Sequence, residues 1–413
     1  MGPLAGGIIA QSGVKVFFLS RTKGRAEEGV TRAVRQARSE VIARNIVTGD
    51  YDTLLEHALK EADWIVESVS EHKETKRTLY EKVEPYRKVG SVVSSMTSSL
   101  PISVLCKGRS RDFKKHFLGI HFYNPPGKLI ACEVAPHTGT LPEVTSYMTD
   151  FLTHQLRRVV VPVRDVAAYA GNRIGFLLFS IVAVLAEKHG VEMMDYLIGP
   201  YTGRTMPPLR TLDLVGLDIF KAIIENLLMY SDSAQIHAEL TVPGYVEEMI
   251  KRGNLGNKTP QRGGFYKRNG NNKELVVNPT TLEYEPARNC TIDFIETAKE
   301  LMHLGRYREA FKVITTAECP EGDIVRRILC AYLSCSYSSV GEVTERELGM
   351  RGIDDVMALG YGWAPPSVLL HMLGGVEVVK NLLRMSGTGI LTTIDTCLRE
   401  FDTSDAGRYF VAH

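Results

Sequence analysis

"LGIHFYNPPGKLIACEV", Leu118 to Val134, is the stretch on which the fold turns. A histidine, His121, sits at the end of an apolar run, an Asn-Pro-Pro turn follows, and a second apolar segment carries one glutamate, Glu133. Apolar runs of strand length on either side of a rigid turn read as neighbouring strands. An imidazole and a carboxylate on two such strands are either a satisfied core pair or a proton-transfer pair, in which the carboxylate fixes the tautomer and stabilises the charged ring.

Working outward, the first part of the chain alternates short apolar runs with helical patterns. "VKVFFLS" (Val14 to Ser20), "NIVTGDY", "DWIVESV", "GSVVSSM", "FLGIHFY" and "RVVVPV" (Arg158 to Val163) read as strands. "RAEEGVTRAVRQARSEVIA", "LLEHALKEA" and "KETKRTLYEKVEPY" between them read as helices. Continuous apolar strands separated by helices predict an α/β, Rossmann-like doubly wound domain over residues 1–165, its sheet mostly parallel. The remainder is helical and repeats itself. "PPLRTLDLVG" (Pro207 to Gly216) and "PPSVLLHMLGG" (Pro365 to Gly375) each follow a Gly/Tyr-rich turn, and each has an apolar helix upstream. The duplication predicts two helical domains, 166–285 and 286–413. The Gly/Asn/Lys-rich "RGNLGNKTPQRGGFYKRNGNNKE" reads as surface loop and linker.

Bulk properties remove several function classes. The 413 residues carry 49 Lys+Arg against 48 Asp+Glu, a net charge of +1 that leaves no footprint for nucleic acid or an anionic membrane. The seven cysteines are scattered without a CxxC pair, as in a reducing compartment. The start lacks the basic segment of a signal peptide, and the C-terminus is not a Ser-Lys-Leu tail. The longest apolar run, Ile174 to Ala186, is too short for a comfortable membrane span. A soluble cytoplasmic protein is expected, with an organelle matrix left open. No His/Cys/carboxylate cluster has metal-ligand spacing.

In a doubly wound sheet, ligands bind beyond the carboxyl ends of the strands. Ser98, His121, Glu133 and Asn172 fall at or just after such ends. A base with its carboxylate, plus a hydroxyl and an amide to hold an oxygen of changing charge, suits alcohol oxidation by hydride transfer to a nicotinamide.

These segments resemble the 3-hydroxyacyl-CoA dehydrogenase family. "SSMTSSLPI" is similar to its Ser-Asn-Thr-Ser-Ser segment, and "GIHFYNPPGKLIACEV" to its His-Phe-Phe-Asn-Pro segment with the downstream glutamate. "RDVAAYAGNRIGF" resembles its Asp-x-Pro-x-Phe-x-x-Asn-Arg segment, "LGNKTPQRGGFYK" its Gly-x-Lys-x-Gly-x-Gly-Phe-Tyr segment, and "VSEHKETKRTLYEKVE" its Glu/Lys segment near the nicotinamide. The resemblance implies His121 as general acid/base with Glu133 as its partner. It also implies Ser98 and Asn172 on the substrate 3-oxygen, and Glu71, Lys76 and Asn124 along the nicotinamide and substrate cleft. The implied reaction is reversible oxidation of an (S)-3-hydroxyacyl-CoA to the 3-oxoacyl-CoA, as in fatty-acid β-oxidation. The helical copies would be of the 6-phosphogluconate-dehydrogenase C-terminal kind. A tandem pair implies a monomer with an internal pseudo-dimer; a homodimer is the alternative.

Four departures from the family pattern matter. The spacing back from "VKVFFLS" puts Gly2 at the third glycine of a G-x-G-x-x-G fingerprint, so the first strand would be absent and "AGG" (Ala5 to Gly7) would lie inside the following helix. A start placed too late is the favoured explanation. The competing one is a degenerate, non-catalytic CoA-ester-binding or assembly subunit without dinucleotide binding. Ser20, followed by Arg21, replaces the aspartate expected to bind the adenosine ribose, which keeps NADP open beside NAD. Met96 stands for an asparagine, and Ala167-Ala168 for the usual proline turn. A β-hydroxyacid or sugar-acid dehydrogenase of similar plan is a third reading. Lysines and arginines of "KETKR" and "KKHF" are candidates for the adenine end of CoA.

Overall fold

The computed structural model describes residues 1–385; the end of the second helical copy, residues 386–413 with Cys397, lies outside the described residues. The described residues form two compact units. The first comprises Met1–Tyr169 with two later segments, Val343–Glu345 and Leu359–Tyr361; the second holds the rest.

In the first unit α1 (Gly2–Gln11), β1 (Val16–Ser20), α2 (Lys23–Ala37), β2 (Ile46–Asp50), α3 (Leu55–Glu61), β3 (Trp64–Glu67), α4 (Lys73–Val83) and β4 (Val92–Ser95) follow in order. Then come α5 (Ile102–Leu105), α6 (Arg111–Lys115), β5 (Phe117–Phe122), β6 (Ala131–Pro136), α7 (Pro142–Asp150) and β7 (Val159–Pro162). Five strands pair in the order β3-β4-β5-β6-β7, parallel throughout except for the antiparallel β5–β6 pair. β1 and β2 form a separate parallel pair. Among the described residues β1 therefore has one strand neighbour and β3 has one. One apolar cluster nevertheless serves both: Ala5, Ile8 and Ile9 of α1 meet Val92, Met96, Leu118, Ile120 and Val134, with Val16 of β1 and Trp64 and Val66 of β3 packed on it.

The "AGG" of α1 lies inside a helix, where glycine costs about 1 kcal/mol relative to alanine. Packing explains it. A Cβ on Gly6 would lie 2.5 Å from the Phe18 ring, and one on Gly7 would lie 2.8 Å from the Ala33 methyl. The glycines let α1 close on β1 and α2.

The second unit opens with α8 (Gly171–His189), α9 (Val191–Leu197), α10 (Pro208–Val215), α11 (Leu217–Tyr230), α12 (Ala234–Glu239) and α13 (Gly244–Lys251). Three short strands follow, β8 (Tyr266–Arg268), β9 (Glu274–Val277) and β10 (Tyr284–Pro286). α14 (Asp293–His303), α15 (Tyr307–Thr316), α16 (Pro320–Ser338), α17 (Arg351–Val356), α18 (Pro366–Met372) and α19 (Val376–Met385) complete it. The internal repeat is visible in its capping. Asp195 of α9 accepts from the amides of Leu209 and Arg210 at the start of α10, at 2.8 and 3.1 Å. Asp354 of α17 accepts from the Ser367 amide at the start of α18, at 3.0 Å, and from its hydroxyl. The two copies meet where Arg204 bridges Trp363, the guanidinium 4.7 Å over the indole ring.

The stretch read as surface loop and linker is instead partly structured: β8, β9 and β10 make an antiparallel ribbon in the order β10-β9-β8. Phe265 just before β8 is fully buried, and buried Asp213 of α10 accepts from the amides of Phe265 and Tyr266, both at 2.8 Å. Gly264 and Gly256 pack so tightly on Asp213 that a Cβ on either would overlap it. The glycines that suggest a loop are there to admit a buried carboxylate. Among the described residues no helix is long and apolar enough to cross a membrane.

Burial pushes the Asp213 carboxyl up to about 7, against the two amide hydrogen bonds that lower it. A carboxyl raised in the folded state stabilises the fold fully below its unfolded value of 3.8 and progressively less as pH rises through about 7. We expect the stability difference between wild type and Asp213→Asn, from urea unfolding, to fall by roughly 2–4 kcal/mol between pH 4 and 8. A difference independent of pH would show that Asp213 does not titrate there.

Candidate active site

The site grows from the β5–β6 register. Pairing sets His121 directly opposite Glu133. On facing residues of an antiparallel pair the side chains share one side of the sheet. His121 Nδ1 lies 2.8 Å from Glu133 Oε2, and both groups are buried. An ionised carboxylate only accepts, so Nδ1 carries the hydrogen and Nε2 of the neutral ring is the acceptor. Tyr123 donates to the same Oε2 at 2.6 Å. The pair is thus a triad: the sequence pointed to His121 and Glu133 but not to Tyr123, two residues on from the histidine.

A second cluster lies at the carboxyl ends of β3 and β4. α4 buries Lys76, Tyr80 and Val83, a stripe at helical spacing. Lys76 Nζ lies 2.9 Å from Glu67 Oε1 and 3.4 Å from Glu71 Oε2. Glu67 also accepts from Tyr80 at 2.8 Å, Ser95 at 2.6 Å and the Val69 amide at 2.7 Å. Glu71 Oε1 gathers the Thr97 hydroxyl at 2.6 Å and the amides of Ser98 and Ser99, both at 2.8 Å. Burial pushes the Glu71 carboxyl up, but Lys76 and these hydrogen bonds outweigh it and hold the group below its usual range.

Ser98 is therefore held by its backbone, half-buried between two buried neighbours. Lys76, expected along the cleft, is only 1 % exposed and pairs with Glu71. Glu67, the centre of this cluster, went unnamed in the sequence; a glutamate within the apolar run "DWIVESV" was the available signal. Asn124 follows β5 and is exposed. Asn172 lies in the first turn of α8 and is buried within the second unit.

The residues expected at the adenosine end lie on α1 and at the end of β1. The first turn of α1 has no side-chain cap, which suits backbone amides and a helix dipole to an anion. Gly2 is so close to the end of β3 that a Cβ would lie 2.1 Å from Ser68 Oγ. Ser20 ends β1 with exposed Arg21 after it. Asp50, opposite Ser20, is engaged by the Thr53 amide and hydroxyl at 2.8 and 2.6 Å. These residues fit a dinucleotide without supplying a free ribose carboxylate at Ser20. Met96 packs into the apolar cluster beneath.

The turn after β7 departs from ordinary backbone. Ala168 and Tyr169 both have positive φ, 62° and 46°. Asp165 holds the start of α5 through the Ile102 and Ser103 amides. Tyr169 lies against Gly119 of β5, where a Cβ would be 2.3 Å from the phenol oxygen. That hydroxyl is buried with no hydrogen-bond partner among the described residues.

Two stability outcomes follow from these clusters. Lys76→Met leaves Glu67 and Glu71 without their shared cation, and urea unfolding should register a loss of about 3–5 kcal/mol. A loss under 1 kcal/mol would mean the carboxylates are solvated or protonated instead. Tyr169→Phe removes an unpaired buried hydroxyl and should raise stability by about 1 kcal/mol; a lower midpoint would reveal a partner for that oxygen.

Residues 1–166 match the family model for the 3-hydroxyacyl-CoA dehydrogenase NAD binding domain, and residues 169–268 match that for the C-terminal domain of the same family. A probable 3-hydroxyacyl-CoA dehydrogenase of Deinococcus radiodurans is 34% identical over 275 residues, covering 64% of this chain and 77% of that one. One of Bacillus subtilis is 34% identical over 309 residues, covering 74% of this chain but 38% of its own length. The chain thus spans well under half of that relative. The crystal structure of 3-hydroxybutyryl-CoA dehydrogenase from Escherichia coli K12 aligns over 97% of this chain and 96% of that one, with a TM-score of 0.67 and 17% identity, a likeness of fold.

Proposed function

The chain belongs to the 3-hydroxyacyl-CoA dehydrogenase family, and on that premise we propose that it interconverts an (S)-3-hydroxyacyl-CoA and the 3-oxoacyl-CoA in fatty-acid β-oxidation. The observation that carries the reading is the buried imidazole–carboxylate pair on facing residues of β5 and β6. In oxidation the O–H bond of the substrate breaks and its proton passes to Nε2 of His121. The C3–H bond breaks with its electron pair, and C3 and the oxygen become a carbonyl. NAD, when bound, supplies the acceptor for that hydride. Glu133 holds the ring in the tautomer that can take the proton and stabilises the imidazolium once formed.

Ser98 is the proposed donor to the 3-oxygen, and Glu71 fixes the turn that presents it. The family pattern adds Asn172 to that oxygen and Asn124 to the cleft. Gly2, Ser20 and Arg21 would hold the dinucleotide, with Glu71 on its nicotinamide side and Lys76 behind Glu71. An arginine beside a small polar residue can also accept a 2′-phosphate, so NADP is the alternative cofactor.

The test is acetoacetyl-CoA-dependent oxidation of NADH, repeated with NADPH. His121→Ala should lower kcat by about 10²–10⁴-fold with little change in KM. Ser20→Asp should favour NADH over NADPH. Activity that survives loss of His121 would sink the assignment. A folded chain that binds neither cofactor would favour a non-catalytic CoA-ester-binding subunit.

A further inference from the structure

His121 stands between two tyrosines. The Tyr123 ring meets it edge-on with centroids 4.8 Å apart, and Tyr169 lies at 6.0 Å. The family segments that these stretches resemble are written with phenylalanine at both places, whereas this chain has tyrosine. They are used differently. The Tyr169 hydroxyl has no partner among the described residues, whereas that of Tyr123 shares Glu133 Oε2 with His121 Nδ1.

We propose that Tyr123 is a positioning residue of the dyad: its hydroxyl fixes the Glu133 carboxylate toward the imidazole and draws off part of its charge. This deepens the function proposed above and rests on it for its kinetic consequences.

The ring of Tyr123 is itself held in place. The segment Leu359–Tyr361, part of the first unit, closes on it. Tyr361 meets it edge-on at 5.7 Å, and a Cβ on Gly360 would lie 2.7–2.9 Å from three of its ring carbons. Glycine is what lets the segment come this near. Burial and the Glu133 charge hold the Tyr123 phenol well above its usual range, so it remains a donor. The other titratable groups facing the dyad are quiet near neutrality. Burial raises Tyr169, Tyr361 and the Cys132 thiol, and Glu71 is held low by Lys76 and its hydrogen bonds against its own burial. Arg158 faces Cys132 and stays charged. The phenol of Tyr123 is thus the neutral donor that shares Glu133 Oε2 with the imidazole.

A phenol that donates to a carboxylate competes with the imidazolium for its charge. Removing it leaves the imidazolium a larger share of the carboxylate's charge, so the protonated ring persists to higher pH. The experiment is Tyr123→Phe, read in two ways. In acetoacetyl-CoA reduction, where His121 must give a proton, the limb on which activity falls with rising pH should move up by about half a pH unit. kcat should drop about three- to tenfold as the carboxylate loses its anchor, with KM unchanged. In ¹⁵N-histidine NMR the titration midpoint of the His121 ring should rise by the same interval. Gly360→Ala, which forces the ring from its place without removing the hydroxyl, should move the midpoint in the same direction. An unchanged midpoint in both variants overturns the proposal, as does a loss of activity with an unmoved pH limb, which would mark Tyr123 as packing alone. Should the wild-type chain prove inactive, the proposed dehydrogenase function falls, while the NMR midpoints still decide the role of Tyr123.

Discussion

The site depends on one register. β5 and β6 run antiparallel, and their pairing sets His121 against Glu133 and Gly119 against Ala135. Side chains alternate along a strand, so a slip of one residue would turn Glu133 to the other face of the sheet. The imidazole would then lie buried without its carboxylate. The residues between the strands, 123–130, need only reverse the chain, whereas the pairing itself aligns the two groups. Gly119 shows how closely the rest is fitted to this pair: any side chain there would strike the Tyr169 phenol.

A second constraint sits one strand over. Glu67 and Glu71 are two carboxylates in a buried region, and one lysine lies between them. Isolated buried charges are costly, and the structure answers with donors on every side: Tyr80, Ser95 and Val69 for Glu67, and Thr97, Ser98 and Ser99 for Glu71. The outcome is mechanical. The turn after β4 is pinned by its own amides to a carboxylate that is itself paired with buried Lys76. A serine held this way presents its side chain on a rigid backbone, which suits the oxygen-binding role proposed for it.

The strands and helices of the first unit were legible because each carries its own period: apolar runs for strands, a Lys76/Tyr80/Val83 stripe for α4. The histidine–glutamate pair was legible because a familiar segment surrounds it. What escaped reading depends on partners far along the chain. Tyr123 looks like one more aromatic until Glu133 is seen beneath it. Glu67 looks like the polar end of a strand until Lys76, Tyr80 and Ser95 converge on it. The ribbon of β8, β9 and β10 was hidden by its glycines, since composition cannot distinguish a glycine freeing a loop from one making room for Asp213.

The helical repeat carries the same lesson further. Both copies cap a Pro-Pro helix with an aspartate from the helix before it, so the capping unit is common to the two. The turns between cap and helix have diverged. In the first copy Gly203 and Arg204 remain in the second unit, where they pair with Ala364 and Trp363. In the second copy Leu359–Tyr361 joins the first unit and closes on Tyr123. Gly360 is where the difference becomes physical, because a side chain there would collide with the ring. A repeat that served only to build a helical core would have no use for that glycine. Within the first unit that glycine lets Leu359–Tyr361 reach the ring whose hydroxyl meets Glu133.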